Sequence, residues 1–267
     1  MTESHALTLV TGHGWLRGFS NMLDNELARW WKTPLWCIVS LVYAALTFFL
    51  LNTGGFRNEG MFVYRYKDSI ALFHTVGVIV LMQGVLVGDK KDGTVAWVLS
   101  KPATRTALIL AKLIAYSLGV LTTMLLVSGA VLYVEWLILG TVPPKPLLFL
   151  KALGLAFLSP LWYLTLMLML GALLDNRMAI LGIGSGLLVL SGKLLSWFPM
   201  LRFTLPWYLL SNAATQDPAG GVMMLAFGWS IEHYTPTLVI VAVECVLFVL
   251  VALWRFNQDE FWNPNGD

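Results

Sequence analysis

Charge is what this chain of 267 residues has least of. Asp, Glu, Lys and Arg make up 12% of it, about half the ~25% of a soluble globular domain. Cysteine is nearly missing too. Cys37 and Cys245 both lie in apolar runs, which suits packing residues and gives neither a disulfide framework nor metal-ligand spacing. The net charge of +2 and the lack of a basic tract argue against nucleic acid as a partner. Met1 to Asn25 holds no continuous apolar stretch of the kind a cleaved signal peptide requires. Enzyme constellations are missing as well. His-Glu-x-x-His does not occur, and His5, His13, His74 and His233 are scattered. The nearest phosphate-loop lookalike runs from Gly186 to Leu194. It puts Leu187 where the loop needs its first Gly and Leu194 where it needs Ser or Thr. The expectation is a chain with no metal, no cofactor of its own and no catalysis by itself.

What is abundant is apolar sequence. The chain is 58% hydrophobic, with a mean hydropathy of +0.74. Its apolar residues cluster into continuous runs near the ~20 residues that cross a bilayer as a helix. A transmembrane β-barrel would need short alternating segments instead. The expected fold is an all-α integral membrane protein, one transmembrane domain over residues 1–267. Six spans are expected, at Leu35–Leu51, Ser69–Val87, Ala107–Leu137, Leu148–Leu174, Met178–Leu195 and Thr237–Phe256. An even number puts both termini on one side. With the termini in the cytoplasm, ten Lys and Arg fall inside and seven outside, together the full 17. The positive-inside rule favours that orientation in the cell (inner or cytoplasmic) membrane.

Before the first span, residues 15–32 read as an amphipathic helix. Trp15, Leu16, Phe19, Met22, Leu23, Leu27 and Trp30 share one arc at ~100° per residue. Arg17, Asn21, Asp24, Asn25 and Arg29 fall off it. Tryptophans on the apolar face favour a helix in the membrane interface; a helix packed on the loops is the other reading. On the opposite side, residues 196–236 are too polar to span and too apolar for a plain loop. Trp197, Phe198, Phe203 and Trp207 precede a second apolar piece, Val222 to Trp229. Two short helices dipping into the outer leaflet fit, with those four aromatics as outer gate candidates.

Between the second and third spans stands "GDKKDGTVAWVLSKPATRTALILAKL", Gly88 to Leu113. Asp89 to Gly93 is read as a turn, with Asp92-Gly93 as its signal. Thr94 to Ser100 has room for about two helical turns, with Val95, Val98 and Leu99 on one face. Pro102 ends that helix and biases Lys101 away from it. Thr104 is an N-cap for the long helix opening near Arg105. Such an element, joined rigidly to the third span, suits the transmission of a push from a cytoplasmic partner.

This run resembles the membrane subunits of ATP-binding-cassette (ABC) transporters of the type-2 permease family. Their pattern is an acidic residue, mixed charges, Gly-Thr, an apolar helix, Ser-x-Pro, a basic residue and a Lys opening the next span. Asp89, Gly93, Thr94, Leu99, Ser100, Pro102, Arg105 and Lys112 match it in order, with Asp89 replacing the more usual Glu. The resemblance covers nearly the whole chain in architecture and about Gly88–Leu113 in residues. It implies that residues 94–100, with Trp97 and Val98 among them, form a coupling helix seated in a separate ABC ATPase subunit that binds ATP and Mg. It also implies a second permease subunit, identical or homologous, and the 15–32 helix as a connecting helix near the ATPase contact. The function implied is ATP-driven transport, as an exporter of an apolar or amphipathic substrate.

A few polar residues fall inside spans, where ionisable groups carry a functional hypothesis by default. Glu244 reads either as a pathway or ion-binding residue or as a packing residue hydrogen-bonded to a neighbouring helix. His74 and Gln83 are pathway candidates that face the bundle interior. Lys112 is read as snorkelling to the inner surface, Glu135 and Lys151 as an ion pair or as snorkelling groups. Gly182, Gly184 and Gly186 mark close helix packing. An ion-gradient-driven secondary transporter or channel using Glu244 is the alternative function. It calls for internal repeats, and the first and last three spans show no convincing similarity.

Overall fold

The computed structural model describes residues 14, 16–53, 59–91, 103–140, 142–197, 206, 221–228, 232 and 235–258. Every regular element among them is a helix. Five are long and apolar enough to cross a membrane: Leu35–Asn52, Arg65–Lys91, Arg105–Leu139, Pro146–Leu173 and Thr235–Gln258. These are the features of a multi-pass membrane protein. They coincide with five of the six expected spans. The remaining one, Met178–Leu195, lies in the helix Arg177–Trp197, whose apolar stretch Arg177–Leu190 is shorter than the other five.

Helices form here because apolar side chains run on for the length of a bilayer, through Pro160 in the case of Pro146–Leu173, and because hydrocarbon leaves the backbone only itself to bond with. The span helices run past their expected limits, the second by the most. The second is preceded by helix from Glu59 and continues to Lys91. Its first turns are helical although Arg65, Lys67 and Asp68 are charged, since Arg65 Nη1 donates to the closing carbonyls of the first span, Leu50 O at 3.2 Å and Leu51 O at 3.0 Å. The third span starts at Arg105, where the Thr104 hydroxyl accepts from Ala107 N at 3.2 Å, the N-cap expected of that threonine.

Pro146–Leu173 is the centre of the bundle. In its most apolar stretch 72% of residues are buried, against 22% for both Leu35–Asn52 and Thr235–Gln258. Thr235–Gln258, Gly221–Ala226, Thr75–Met82, Val85–Lys91 and Arg177–Trp197 all pack on it. The peripheral helices turn Leu41, Phe48, Phe49, Val239, Val246 and Leu250 outward. Apolar surface on that scale is unfavourable in water, at about 25 cal/mol per Å², and is at home in hydrocarbon.

The second and third spans each contain a wide π-helical turn, Ile70–His74 and Leu121–Leu126. The two turns touch each other. Such a turn frees backbone carbonyls, and side chains satisfy them here. Tyr43 donates to Phe73 O at 2.9 Å, Thr75 to Ile70 O at 3.3 Å and Tyr66 to Leu125 O at 3.0 Å.

Candidate functional site

The amphipathic helix is Phe19–Trp31, and Gly18 precedes it with φ +81°. That left-handed residue starts the helix a turn later than residue 15. Met22 and Trp30 are buried, and Phe19 and Leu23 pack on the same core. The helix lies along Arg105–Val120, the first part of the third span. Trp30 is received by Gly119, where a Cβ would sit inside the indole. Tyr116 meets the same indole edge-on at 5.6 Å.

One side chain on the buried arc is a carboxylate. Glu26 lies seven residues after Phe19 and four before Trp30, a spacing that places all three on one face. Its Oε1 accepts from Lys112 Nζ at 2.6 Å. The same ammonium meets Asp89 Oδ2 at 2.5 Å, and Arg29 Nη1 lies 3.7 Å from Asp89 Oδ1. The Lys112 side chain is 0% exposed, Glu26 12% and Asp89 11%. Two positive and two negative groups from three helices thus form a neutral cluster. Burying an ammonium costs several kcal/mol unless it is paired, and two carboxylates pair this one.

This corrects two expectations. Lys112 does not snorkel: its ammonium stays in the protein because Glu26 and Asp89 come to it. Asp89 does not belong to a turn: it sits in the helix Val85–Lys91, where it reaches the third span. Glu26 was not legible as a site residue, although a lone carboxylate on an apolar arc was its signal.

The neighbouring helix ends are tied in the same way. Arg105 Nη1 donates to Asn257 O at 2.7 Å and Phe256 O at 3.4 Å, carbonyls in the last turn of Thr235–Gln258, where a cation is favoured. Lys90 Nζ donates to Ala172 O at 2.9 Å and lies 3.2 Å from Asp175 Oδ1. That joins the second span to the end of the fourth. The Arg177 side chain lies over Gly84 and Gly88, and a Cβ on Gly88 would come within 2.9 Å of its Nη2. Thr104 N donates to Arg17 O at 3.1 Å. Residues 89, 105 and 112, which flank the short run 93–102, are therefore all anchored.

That run itself, with Gly93, Thr94, Val95, Trp97, Val98, Leu99, Ser100 and Pro102, lies outside the described residues, as do Trp15, Phe198, Phe203 and Trp207. Trp197 closes the helix Arg177–Trp197. In the 196–236 stretch, one short helix, Gly221–Ala226, is described. It packs on Pro146–Leu173 and Glu59–Ser69, and Phe227 beside it meets Trp136 at 5.4 Å.

The pathway candidates do not meet. His74 is fully buried, with Nδ1 3.2 Å from Ser69 O and Nε2 3.0 Å from Ser128 Oγ. Tyr43 and Tyr66 flank its ring at 4.7 and 6.2 Å. It closes the paired π turns. Gln83 is half-buried in the short break between Thr75–Met82 and Val85–Lys91. Glu244 is in the helix Thr235–Gln258, where its Oε2 accepts from Trp162 Nε1 of the central helix at 2.8 Å. That bond matches the packing reading of Glu244. Glu135 Oε1 accepts from Asn52 Nδ2 at 2.9 Å, while Lys151 is exposed. Of the glycine run, Gly184 lies where a Cβ would approach Met167 and Ile79, while Gly182 and Gly186 meet nothing within 4 Å.

A family model described as "Protein of unknown function (DUF2705)" matches residues 37–261. No curated protein matches the chain.

Proposed function

The chain belongs to the DUF2705 family, and from that premise we propose that it is the membrane (permease) subunit of an ABC exporter of the type-2 permease kind. The observation that carries this reading is the anchoring of the Gly88–Leu113 run. Asp89 and Lys112, both part of the transporter-like pattern, are joined to each other and to the amphipathic helix. Arg105, also part of the pattern, holds the end of the last helix.

In this reading residues 94–100 are the coupling helix and seat in a separate ATPase, which binds ATP and Mg. Closure of two ATPases pushes on that helix. Anchored flanks do not absorb the push; they pass it to the second and third spans, the amphipathic helix and the last span together. Six spans, with Arg177–Trp197 as the fifth, put both termini on one side, which the positive-inside rule makes the cytoplasm in this reading. A second permease subunit completes a pathway between the two subunits, and the 196–236 segment caps its outer end. The apolar interior of the spans suits an apolar or amphipathic substrate.

The test is co-purification followed by an ATPase assay. A nucleotide-binding subunit is expected to come down with the full chain. Trp97→Ala or Val98→Asp is expected to weaken that association or uncouple hydrolysis. Transport by the chain with no ATPase present would sink the reading.

A further inference from the structure

We propose that the chain binds an amphiphile with a protonated amine and one apolar chain, in a cavity where its first span ends and its second begins. The cavity measures about 290 Å³, at the small end of ligand pockets. Leu50 and Thr53, at the close of the first span, form one wall. Arg65, Asp68, Leu72 and Phe73 of the second form the other.

Asp68 is what marks the cavity as a site. Arg65, Asp68 and Ser69 all line it, and at spacing i, i+3, i+4 they share one face of the helix Glu59–Ser69. The Asp68 side chain therefore stands on the wall. A carboxylate three residues after an arginine is placed to pair with it. Here Arg65 Nη1 is turned instead to Leu50 O and Leu51 O, at 3.2 and 3.0 Å. Asp68 is left half-buried, with no hydrogen-bond or ion-pair partner among the described residues. Its oxygens are not among the shielded polar atoms that lack a partner, so a ligand atom can reach them. The charge that acts on it, Lys67, belongs to a residue 2% exposed, a helical step of ~100° off that face.

The surroundings select a cation. The carbonyls that hold Arg65 are among the last of the helix Leu35–Asn52, whose dipole puts about half a negative charge at that end. Against Arg65 stand that pole and the full charge of Asp68. An anion meets both. An alcohol donates a neutral hydrogen bond to the carboxylate, and an ammonium donates a stronger, charge-assisted one.

The opening selects an amphiphile. Leu72 and Phe73 belong to the π-helical turn Ile70–His74, and such turns recur at functional sites. Both line the cavity while 46% and 37% exposed, and Val76 and Val80 continue the open apolar strip at 42% and 50%. The cavity therefore opens sideways onto the lipid-facing surface of the second span. Asp68 is three residues inside the span Arg65–Lys91, close to the polar edge of a bilayer. An ammonium on Asp68 sits at that edge, and its chain runs along Leu72 and Val76 in hydrocarbon. The volume suits one chain rather than the two of a phospholipid.

The test titrates the purified full chain, in uncharged detergent near neutral pH, with decylamine, decanol or decanoate and reads the melting temperature. No ATPase is present, so the outcome is independent of the transporter reading. Decylamine is expected to raise the melting temperature at about tenfold lower concentration than decanol, the worth of one charge-assisted hydrogen bond. Decanoate is expected to give no shift. Asp68→Asn keeps the shape of the side chain and should make decylamine no better than decanol. Leu72→Trp fills the cavity from its exposed mouth and leaves the carboxylate in place. It should abolish the decylamine shift, whereas an amine drawn to any surface carboxylate would act on it as on the parent. Equal shifts from amine and alcohol would overturn the proposal. So would a preference that survives Asp68→Asn, or an amine shift that survives Leu72→Trp. An equal shift from phosphatidylethanolamine would overturn it too, by assigning the amine to a lipid headgroup.

Discussion

Lys112 and Glu26 are 86 residues apart in the chain, and their Nζ and Oε1 atoms are 2.6 Å apart. The contact fastens the helix before the first span to the helix that follows the 93–102 run. With Asp89 it makes the third span's lysine the shared partner of two carboxylates.

Removing that lysine leaves both carboxylates buried and facing each other. Lys112→Met is expected to destabilise the protein by about 3–5 kcal/mol, the usual cost of breaking a buried pair from one side. Adding Glu26→Gln should recover part of the loss. Denaturant unfolding in detergent of the two single variants and the double variant measures the coupling.

Gly119 is needed for space. A Cβ there enters the Trp30 indole, so Gly119→Ala is expected to cost about 1–3 kcal/mol as an overpacked site. In a Trp30→Leu background the same change should cost almost nothing. An equal penalty in both backgrounds would mean that the indole is not what Gly119 accommodates.

Arg105 caps the last span from another helix. Arg105→Gln is expected to speed hydrogen exchange in the final turn of Thr235–Gln258 by about tenfold, equivalent to ~1.4 kcal/mol. Exchange in Pro146–Leu173 should stay unchanged. Mass-spectrometric exchange on the purified chain resolves the two regions.

Glu244 serves Trp162. Glu244→Gln keeps an amide oxygen for the Trp162 N–H and is expected to unfold within about 0.5 kcal/mol of the parent, the scatter of unperturbed sites. Glu244→Leu strands the indole N–H in an apolar setting and should cost about 1–3 kcal/mol. A Gln variant as unstable as the Leu variant would show that the charge itself is needed.

His74 closes the paired π turns of the second and third spans. His74→Leu strands Ser69 O and removes the ring between Tyr43 and Tyr66. A loss of about 1–3 kcal/mol is expected, read in the same unfolding assay. Full stability of the variant would show that Ser69 O finds another partner at no cost.

Much of the architecture was legible in the chain itself. Apolar runs near bilayer length determine helices across a membrane, because hydrocarbon allows the backbone no other partner. Thr104 announced its cap, and Phe19, Met22, Leu23 and Trp30 announced a helix with one buried face. What could not be read was which polar side chains inside that pattern answer one another. Lys112 near a surface looked like a snorkelling lysine, and Asp89, opening the charged stretch that ends in Asp92-Gly93, looked like part of a turn. Each reading was sound locally, since periodicity reports only the face on which a residue lies. The partners of Lys112 come from 86 and 23 positions away in sequence, so only the packing of three helices decides that its charge stays inside. The same holds for Glu244 with Trp162 and for His74 with Ser128. Helix and span follow from local backbone energetics; pairing follows from which faces meet, and that is a property of the folded bundle alone.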